Sequence, residues 1–295
     1  MQISVIGAGK WGQALQFALS FKNSVTISSR TSRDIKNFIS LDNALHSNYL
    51  IITIPAQQIT RWLEENFKYS GQNILVAAKG IDAKEGKFLN EIYSKYVPSD
   101  KICFLSGPSF AAEVIQSLPG AVVINGLNEE LNTEFASFFP PFLKTYTSRD
   151  VIGAEICGAY KNVIAIAAGI CDGLNLGNNA RAALLSRGLI EMQRFGTHYG
   201  AKTETFLGLS GAGDLFLTAS STLSRNYRVG LGLSQDKKIE DILEELGEVA
   251  EGVGTTKALK KLSEEKNIYL PIASEVFEVL HGKSVEKSLN DLLTS

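Results

Sequence analysis

Short apolar runs rich in β-branched residues punctuate the first half of the chain at 3–6, 24–28, 49–54, 73–78 and 102–105, with weaker ones at 121–124 and 143–147. Between them, 11–20, 57–65 and 87–96 read as amphipathic or turn-rich. Alternation of this kind predicts a parallel sheet with helices on both faces. Near residue 150 the period changes. Apolar positions then recur at helical spacing over 153–170, 180–199, 241–246, 255–265 and 274–281, and little reads as strand. The pattern predicts two domains, an α/β domain over 1–150 and an all-α domain over 151–295, in keeping with a length of 295 residues.

Composition narrows the function classes. With 44% hydrophobic and 20% charged residues, the chain is neither disordered nor fibrous in type. A formal charge of −2 gives no electrostatic ground for nucleic acid or an acidic membrane as partner. Cys103, Cys157 and Cys171 form no CxxC pair and no metal-ligand set, so buried free thiols, no metal and a reducing, cytoplasmic compartment are expected. Met1 leads straight into apolar residues without a charged leader, and no apolar run approaches the roughly 20 residues of a membrane span. Stable membrane insertion is not expected.

The chemistry begins at Gly7-Ala8-Gly9-Lys10-Trp11-Gly12, a G-x-G-x-x-G between the first strand and an apolar helix. In that context Gly7 allows a tight turn, Gly9 lets backbone approach a pyrophosphate, and Gly12 lets the helix pack on the strand. The helix N-terminus favours the anion. After the second strand, where a carboxylate would hold ribose hydroxyls, the chain reads Ser28-Ser29-Arg30-Thr31-Ser32-Arg33. Arg30 and Arg33 can pair with a ribose phosphate, which favours NADPH over NADH; a solvated basic loop is the other reading.

Lys79-Gly80 and Gly107-Pro108-Ser109-Phe110 follow two of the strands, at the sheet edge where ligands collect. Lys79 is read either as a cation for a carbonyl or phosphate oxygen or as a solvated loop lysine. Lys161 has Cys157, Gly158, Ile164 and Ala165 one helical turn away. On that small, apolar face it must snorkel, find a partner or lose basicity by desolvation, which makes it a candidate general acid–base. A third group is Gly208-Leu209-Ser210-Gly211-Ala212-Gly213-Asp214, then Ser224-Arg225-Asn226. The glycine run is expected to let backbone approach a ligand and to close as a loop over it, with Asp214 presented beside it. Ser224 would cap a helix whose N-terminus, with Arg225 and Asn226, makes a phosphate cradle; a capped turn with a solvated arginine is the alternative.

In order, GAGKWG, AAKG (77–80), SGPSFAAEV (106–114), CGAYKNVIAIAAGICDGL (157–174), GAGDL (211–215), SRN (224–226) and AEGVGTT (250–256) resemble the bacterial-type NAD(P)-dependent glycerol-3-phosphate dehydrogenases. The resemblance runs from residue 3 to about 280. It implies an α/β Rossmann-like N-terminal domain and an all-α C-terminal domain like that of 6-phosphogluconate dehydrogenase. It further implies reduction of dihydroxyacetone phosphate to sn-glycerol 3-phosphate by NAD(P)H for glycerophospholipid synthesis, and a homodimer. Carried over by position, Lys161 would be the general acid–base. Lys79, Gly107, Ser109, Asp214, Arg225 and Asn226 would hold substrate. Gly7, Gly9, Lys10, Trp11, Gly12, Arg30, Lys79, Ala111, Arg225, Val249 and Glu251 would contact cofactor. Asp214 would orient Lys161, whose basicity is expected below the ordinary lysine value of about 10.4.

The chain departs from the family's pattern in four places: Tyr160 stands for a leucine, Lys10 for a serine, the loop between Arg30 and the third strand is shorter than usual, and the C-terminal tail stops early. Other reductases of the same superfamily would need a carboxylate-binding arginine or a catalytic His/Glu pair. His46, His198 and His281 lie in polar contexts and read as surface residues. A non-catalytic NAD(P)H sensor would tolerate loss of Lys161 or Asp214, and both are present.

Overall fold

The computed structural model describes residues 2–294, which form two compact units. Unit 1 comprises residues 2–79 and 89–154, and unit 2 comprises 80–88 and 155–294. Among the described residues the strands are β1 (Ile3–Ile6), β2 (Val25–Ser28), β3 (Tyr49–Ile52), β4 (Asn73–Val76), β5 (Ile81–Asp82), β6 (Lys87–Phe88), β7 (Ile102–Ser106), β8 (Gly120–Asn125) and β9 (Leu143–Ser148).

Unit 1 is built on a seven-stranded sheet in the order β2-β1-β3-β4-β7-β8-β9. Ile3, Val5, Leu15, Leu19 and Ile27 are buried on one side of it, and Ile6, Leu50, Ile52, Ile59 and Leu63 on the other. Burial on both faces is why these strands read as apolar runs rather than as alternating ones. The expected parallel sheet holds except at one place. β8 runs antiparallel to β7, and β9 is parallel to β8. Because β1 lies between β2 and β3, the strand order reverses there, and the carboxyl end of β1 is the topological switch point at which open α/β sheets bind ligands.

Segment 87–96, read as amphipathic or turn-rich, opens as β6 and continues as a short helix over Leu89–Tyr93. β5 and β6 form an antiparallel hairpin that packs on the helix Glu251–Lys266 of unit 2. Two-residue strands carry too few positions for a period to register.

Unit 2 is helical around Val151–Gly173. That helix is long and apolar enough by composition to cross a membrane, which corrects the expectation that no apolar run approaches such a length. Its most apolar window is 94% buried inside the protein, as befits a core helix. Glycines set how closely its neighbours approach. A Cβ on Gly169 would lie 2.1 Å from the Tyr227 carbonyl oxygen, and one on Gly230 2.0 Å from that of Ile166. The helix Arg225–Leu233 therefore crosses it backbone against backbone. Gly188, on the helix Gly177–His198, instead makes room for the Ile164 side chain, from which a Cβ would lie 2.9 Å.

Candidate active site

In unit 1 the glycine turn follows β1. Gly7 has φ +111°, a conformation that favours glycine, and its N–H donates to the Ser28 carbonyl at 2.8 Å. A Cβ at Gly12 would lie 1.8 Å from the Gly7 carbonyl oxygen, so the third glycine serves helix–strand packing. At Gly9 a Cβ would meet nothing within 4 Å. Gly9 is the N-cap of the helix Lys10–Leu19 and brings no side chain to cap it. An exposed glycine at the amino end of a buried helix fits a pyrophosphate of a dinucleotide cofactor.

Trp11 lies half-buried, its indole N–H donating to the Ala77 carbonyl at 2.9 Å, which ties the turn to the end of β4. Two residues on, Lys79 Nζ donates to the Gly107 carbonyl at 3.1 Å, and Ser109 Oγ donates to the same oxygen at 3.1 Å. Lys79, Gly107 and Ser109 are thus gathered at the carboxyl edge of β4 and β7, and Ala111 opens the short helix Ala111–Val114 just beyond. Gly107 has φ +96°. Lys10, Arg30 and Arg33 are exposed. Thr53, which sequence analysis passed over, braces the turn by donating to the Ile6 and Gly7 carbonyls at 3.0 Å each.

In unit 2, Lys161 is 7% exposed and Asp214 1%. Lys161 Nζ lies 2.6 Å from Asp214 Oδ1 and 3.0 Å from Thr218 Oγ1. A buried cation is stable only when its donors are matched, and here a carboxylate and a hydroxyl take them. Thr218 sits one turn after Asp214 on the helix Asp214–Thr218, a spacing that could have signalled it in the sequence. Leu209–Gly213 is not the closing loop expected there. It forms a π-helical turn, with Gly213 N–H donating to the Gly208 carbonyl, that runs straight into the Asp214 helix. Gly211 is demanded by protein rather than by ligand, since its Cβ would fall 2.1 Å from the Phe206 carbonyl oxygen.

Ser224 caps the helix Arg225–Leu233, its Oγ accepting from Tyr227 N at 3.3 Å. Asn226 is buried and donates through Nδ2 to Asn162 Oδ1 at 2.9 Å, while its Oδ1 accepts from Gly252 N at 2.9 Å. Arg225 Nη1 lies 3.5 Å from Glu248 Oε2. These contacts bring residues 248–252, with Val249 and Glu251, to the amino end of the Arg225 helix. Asn162, adjacent to Lys161, was missed in the sequence because it faces inward on a helix that reads as core. The three histidines are exposed, and Cys103, Cys157 and Cys171 are free and buried.

Residues 29–132 match the model of the NAD-dependent glycerol-3-phosphate dehydrogenase N-terminus, and residues 150–290 that of the C-terminus. The chain is 65% identical over 294 residues to a glycerol-3-phosphate dehydrogenase [NAD(P)+] of Sulfurimonas denitrificans, covering 100% of this chain and 99% of the relative. It is 60% identical over 295 residues to the Campylobacter lari protein of the same name, covering 100% and 98%. The crystal structure of glycerol-3-phosphate dehydrogenase from Coxiella burnetii superposes with a TM-score of 0.90 at 30% identity, over 100% of this chain and 99% of that one. The chain belongs to the NAD(P)-dependent glycerol-3-phosphate dehydrogenase family.

Proposed function

We propose that the chain reduces dihydroxyacetone phosphate to sn-glycerol 3-phosphate with NAD(P)H. The observation that supports this best is the buried Lys161–Asp214–Thr218 cluster, a proton donor held by two fixed partners in a chain of this family. NAD(P)H, when bound, supplies two electrons and one hydrogen to the ketone carbon. Lys161 Nζ stabilises the negative charge that develops on the carbonyl oxygen and hands it a proton. Asp214 fixes the direction of Nζ and takes up a substrate hydroxyl. Arg225 and the amino end of its helix receive the phosphate. Asn226 has one amide hydrogen and its oxygen engaged with Asn162 and Gly252, which leaves its second hydrogen for substrate.

Lys79, Gly107 and Ser109 are assigned to substrate, Lys79 also to cofactor. Gly7, Gly9, Lys10, Trp11, Gly12, Arg30, Ala111, Arg225, Val249 and Glu251 are assigned to cofactor, Trp11 through its ring because its N–H serves Ala77. Exposed Arg30 supports a preference for NADPH. Domains of 1–150 and 151–295, a cytoplasmic setting and a role in glycerophospholipid synthesis complete the reading. Leu207, Phe216 and Leu223, exposed in unit 2, offer apolar surface for a homodimer.

The test follows absorbance loss from NADPH, and separately NADH, with dihydroxyacetone phosphate and purified protein. Turnover by the wild type, reduced by a factor of about 10²–10⁴ in Lys161→Ala, is expected. A wild type that ignores dihydroxyacetone phosphate overturns the substrate, and a fully active Lys161→Ala overturns the acid–base role.

A further inference from the structure

Two charged residues outside the candidate site fasten both ends of the segment 219–227. Asp172 lies in the last turn of the helix Val151–Gly173. Its Oδ2 accepts from the Tyr227 hydroxyl at 2.5 Å and pairs with Arg181 Nη1 at 3.2 Å. Arg181, on the helix Gly177–His198, sends Nη2 to the Ala219 carbonyl at 3.3 Å. Ala219 directly follows Thr218, and Tyr227 directly follows Asn226. One ion pair therefore grips the residue after the Lys161 partner and the residue after the phosphate-side asparagine.

Residues 219–224 between these points have no regular structure, and ordering backbone costs about 1–2 kcal/mol per residue. The Gly169–Tyr227 approach sets how deep the Arg225 helix sits, but it does not hold the chain between Thr218 and Ser224. The pair supplies that restraint. Its side chains are only 22% and 27% exposed, so water screens it less than it does an open surface pair. Burial, with the carboxylate beside it, pushes the Tyr227 phenol up to about 12, so it stays protonated and keeps donating.

We propose that Asp172 and Arg181, acting through Tyr227 and Ala219, are positioning residues that set the phosphate cradle of Arg225 and Asn226 relative to the Lys161 cluster. This rests on the reading of that cluster as the reductase site. The guanidinium suits the task because its fork reaches a carboxylate and a carbonyl at once, which an ammonium on a flexible stem does not do in fixed geometry.

The experiment compares wild type, Tyr227→Phe, Asp172→Asn and Arg181→Lys as full-length proteins. Tyr227→Phe removes a single hydroxyl and keeps the ring, so it reports even where a charge variant folds poorly. The KM for dihydroxyacetone phosphate is expected to rise about tenfold, by more than the KM for NADPH, which Arg225 also serves, and with kcat reduced less. Amide hydrogen exchange over 219–227 should quicken in the same variants. Unchanged substrate KM and unchanged exchange in Tyr227→Phe and Asp172→Asn overturn the proposal, as does a lowered Tm with substrate KM intact. A wild type inert toward dihydroxyacetone phosphate overturns the reaction alone, since exchange at 219–227 still reports whether the pair holds the segment.

Discussion

Lys161 and Asp214 form a buried ion pair at 2.6 Å across 53 residues of chain, and Thr218 Oγ1 lies 3.0 Å from the same nitrogen and 3.3 Å from the same carboxylate oxygen. Removing one member of such a pair strands the other charge, at a cost of about 3–5 kcal/mol. Lys161→Met and Asp214→Leu should each lower stability by about that much, and the double variant should regain most of it, because apolar residues of similar volume replace buried pairs at little cost. Activity should stay lost in all three. Urea midpoints beside NADPH turnover check this, and a double variant as unstable as the singles would show that the pair is not an isolated unit.

Gly9 and Gly12 of the turn should separate by substitution. Gly9→Ala places a methyl where the protein has nothing within 4 Å, at an ordinary φ of −75°. Its Tm should match wild type while the KM for both nicotinamide cofactors rises, since the methyl stands where backbone must approach the pyrophosphate. Gly12→Ala forces a methyl to 1.8 Å from the Gly7 carbonyl oxygen and should lose stability by about 1–3 kcal/mol or more, as overpacking does. Equal Tm values for the two variants would contradict the division of roles.

Much of this was open to reading in the sequence, for a physical reason. β3 and β4 are buried on both faces, so they leave apolar runs, and Lys161 stands out as a charge whose neighbours one helical turn away are small or apolar. The parts that escaped reading lack such contrast. β8 reverses direction without changing its apolar character, because pairing direction leaves no mark on burial. Asp172, Arg181 and Thr218 are ordinary polar residues in sequence, and only the crossing at Gly169 and Gly230 and the π-helical turn at Leu209–Gly213 give them partners. The glycine run at 208–213 reads as a closing loop, whereas Gly211 is fixed by backbone contact with Phe206.

Arg30 lies exposed just beyond β2, in a loop that also carries Arg33 and Asp34. An exposed cation contributes modestly to binding, but the ribose phosphate of NADPH gives it a charged, multidentate target that NADH lacks. Arg30→Ala should lower the ratio of kcat/KM for NADPH over NADH about tenfold, which corresponds to about 1.4 kcal/mol. Turnover with NADH should barely change. Separate titrations of the two cofactors at constant ionic strength decide it, and an unchanged ratio would leave Arg30 as a solvated loop residue.

Glu191 offers a test of stability against pH. It lies on the helix Gly177–His198 with 2% exposure, and its carboxylate accepts from Ile272 N at 2.9 Å, Ala273 N at 2.8 Å and the Tyr160 hydroxyl at 2.7 Å. It thus caps the helix Pro271–Leu280 from outside. Burial lifts its carboxyl above the ordinary 4.5, with the bonds from Ala273, Ile272 and Tyr160 pulling in the opposite direction. For an acid raised in the native state, the folded protein binds more protons than the unfolded chain between 4.5 and the native value. Its stabilising contribution is therefore full below 4.5 and is lost as pH rises through the native value. Glu191→Gln removes this titration and also turns an amide donor toward one of its three donors, costing about 1–3 kcal/mol. Urea unfolding of wild type and variant from pH 4.5 to 7 should show the wild-type advantage shrinking as pH rises. An advantage that grows with pH would mean that the three hydrogen bonds outweigh burial and hold Glu191 ionised.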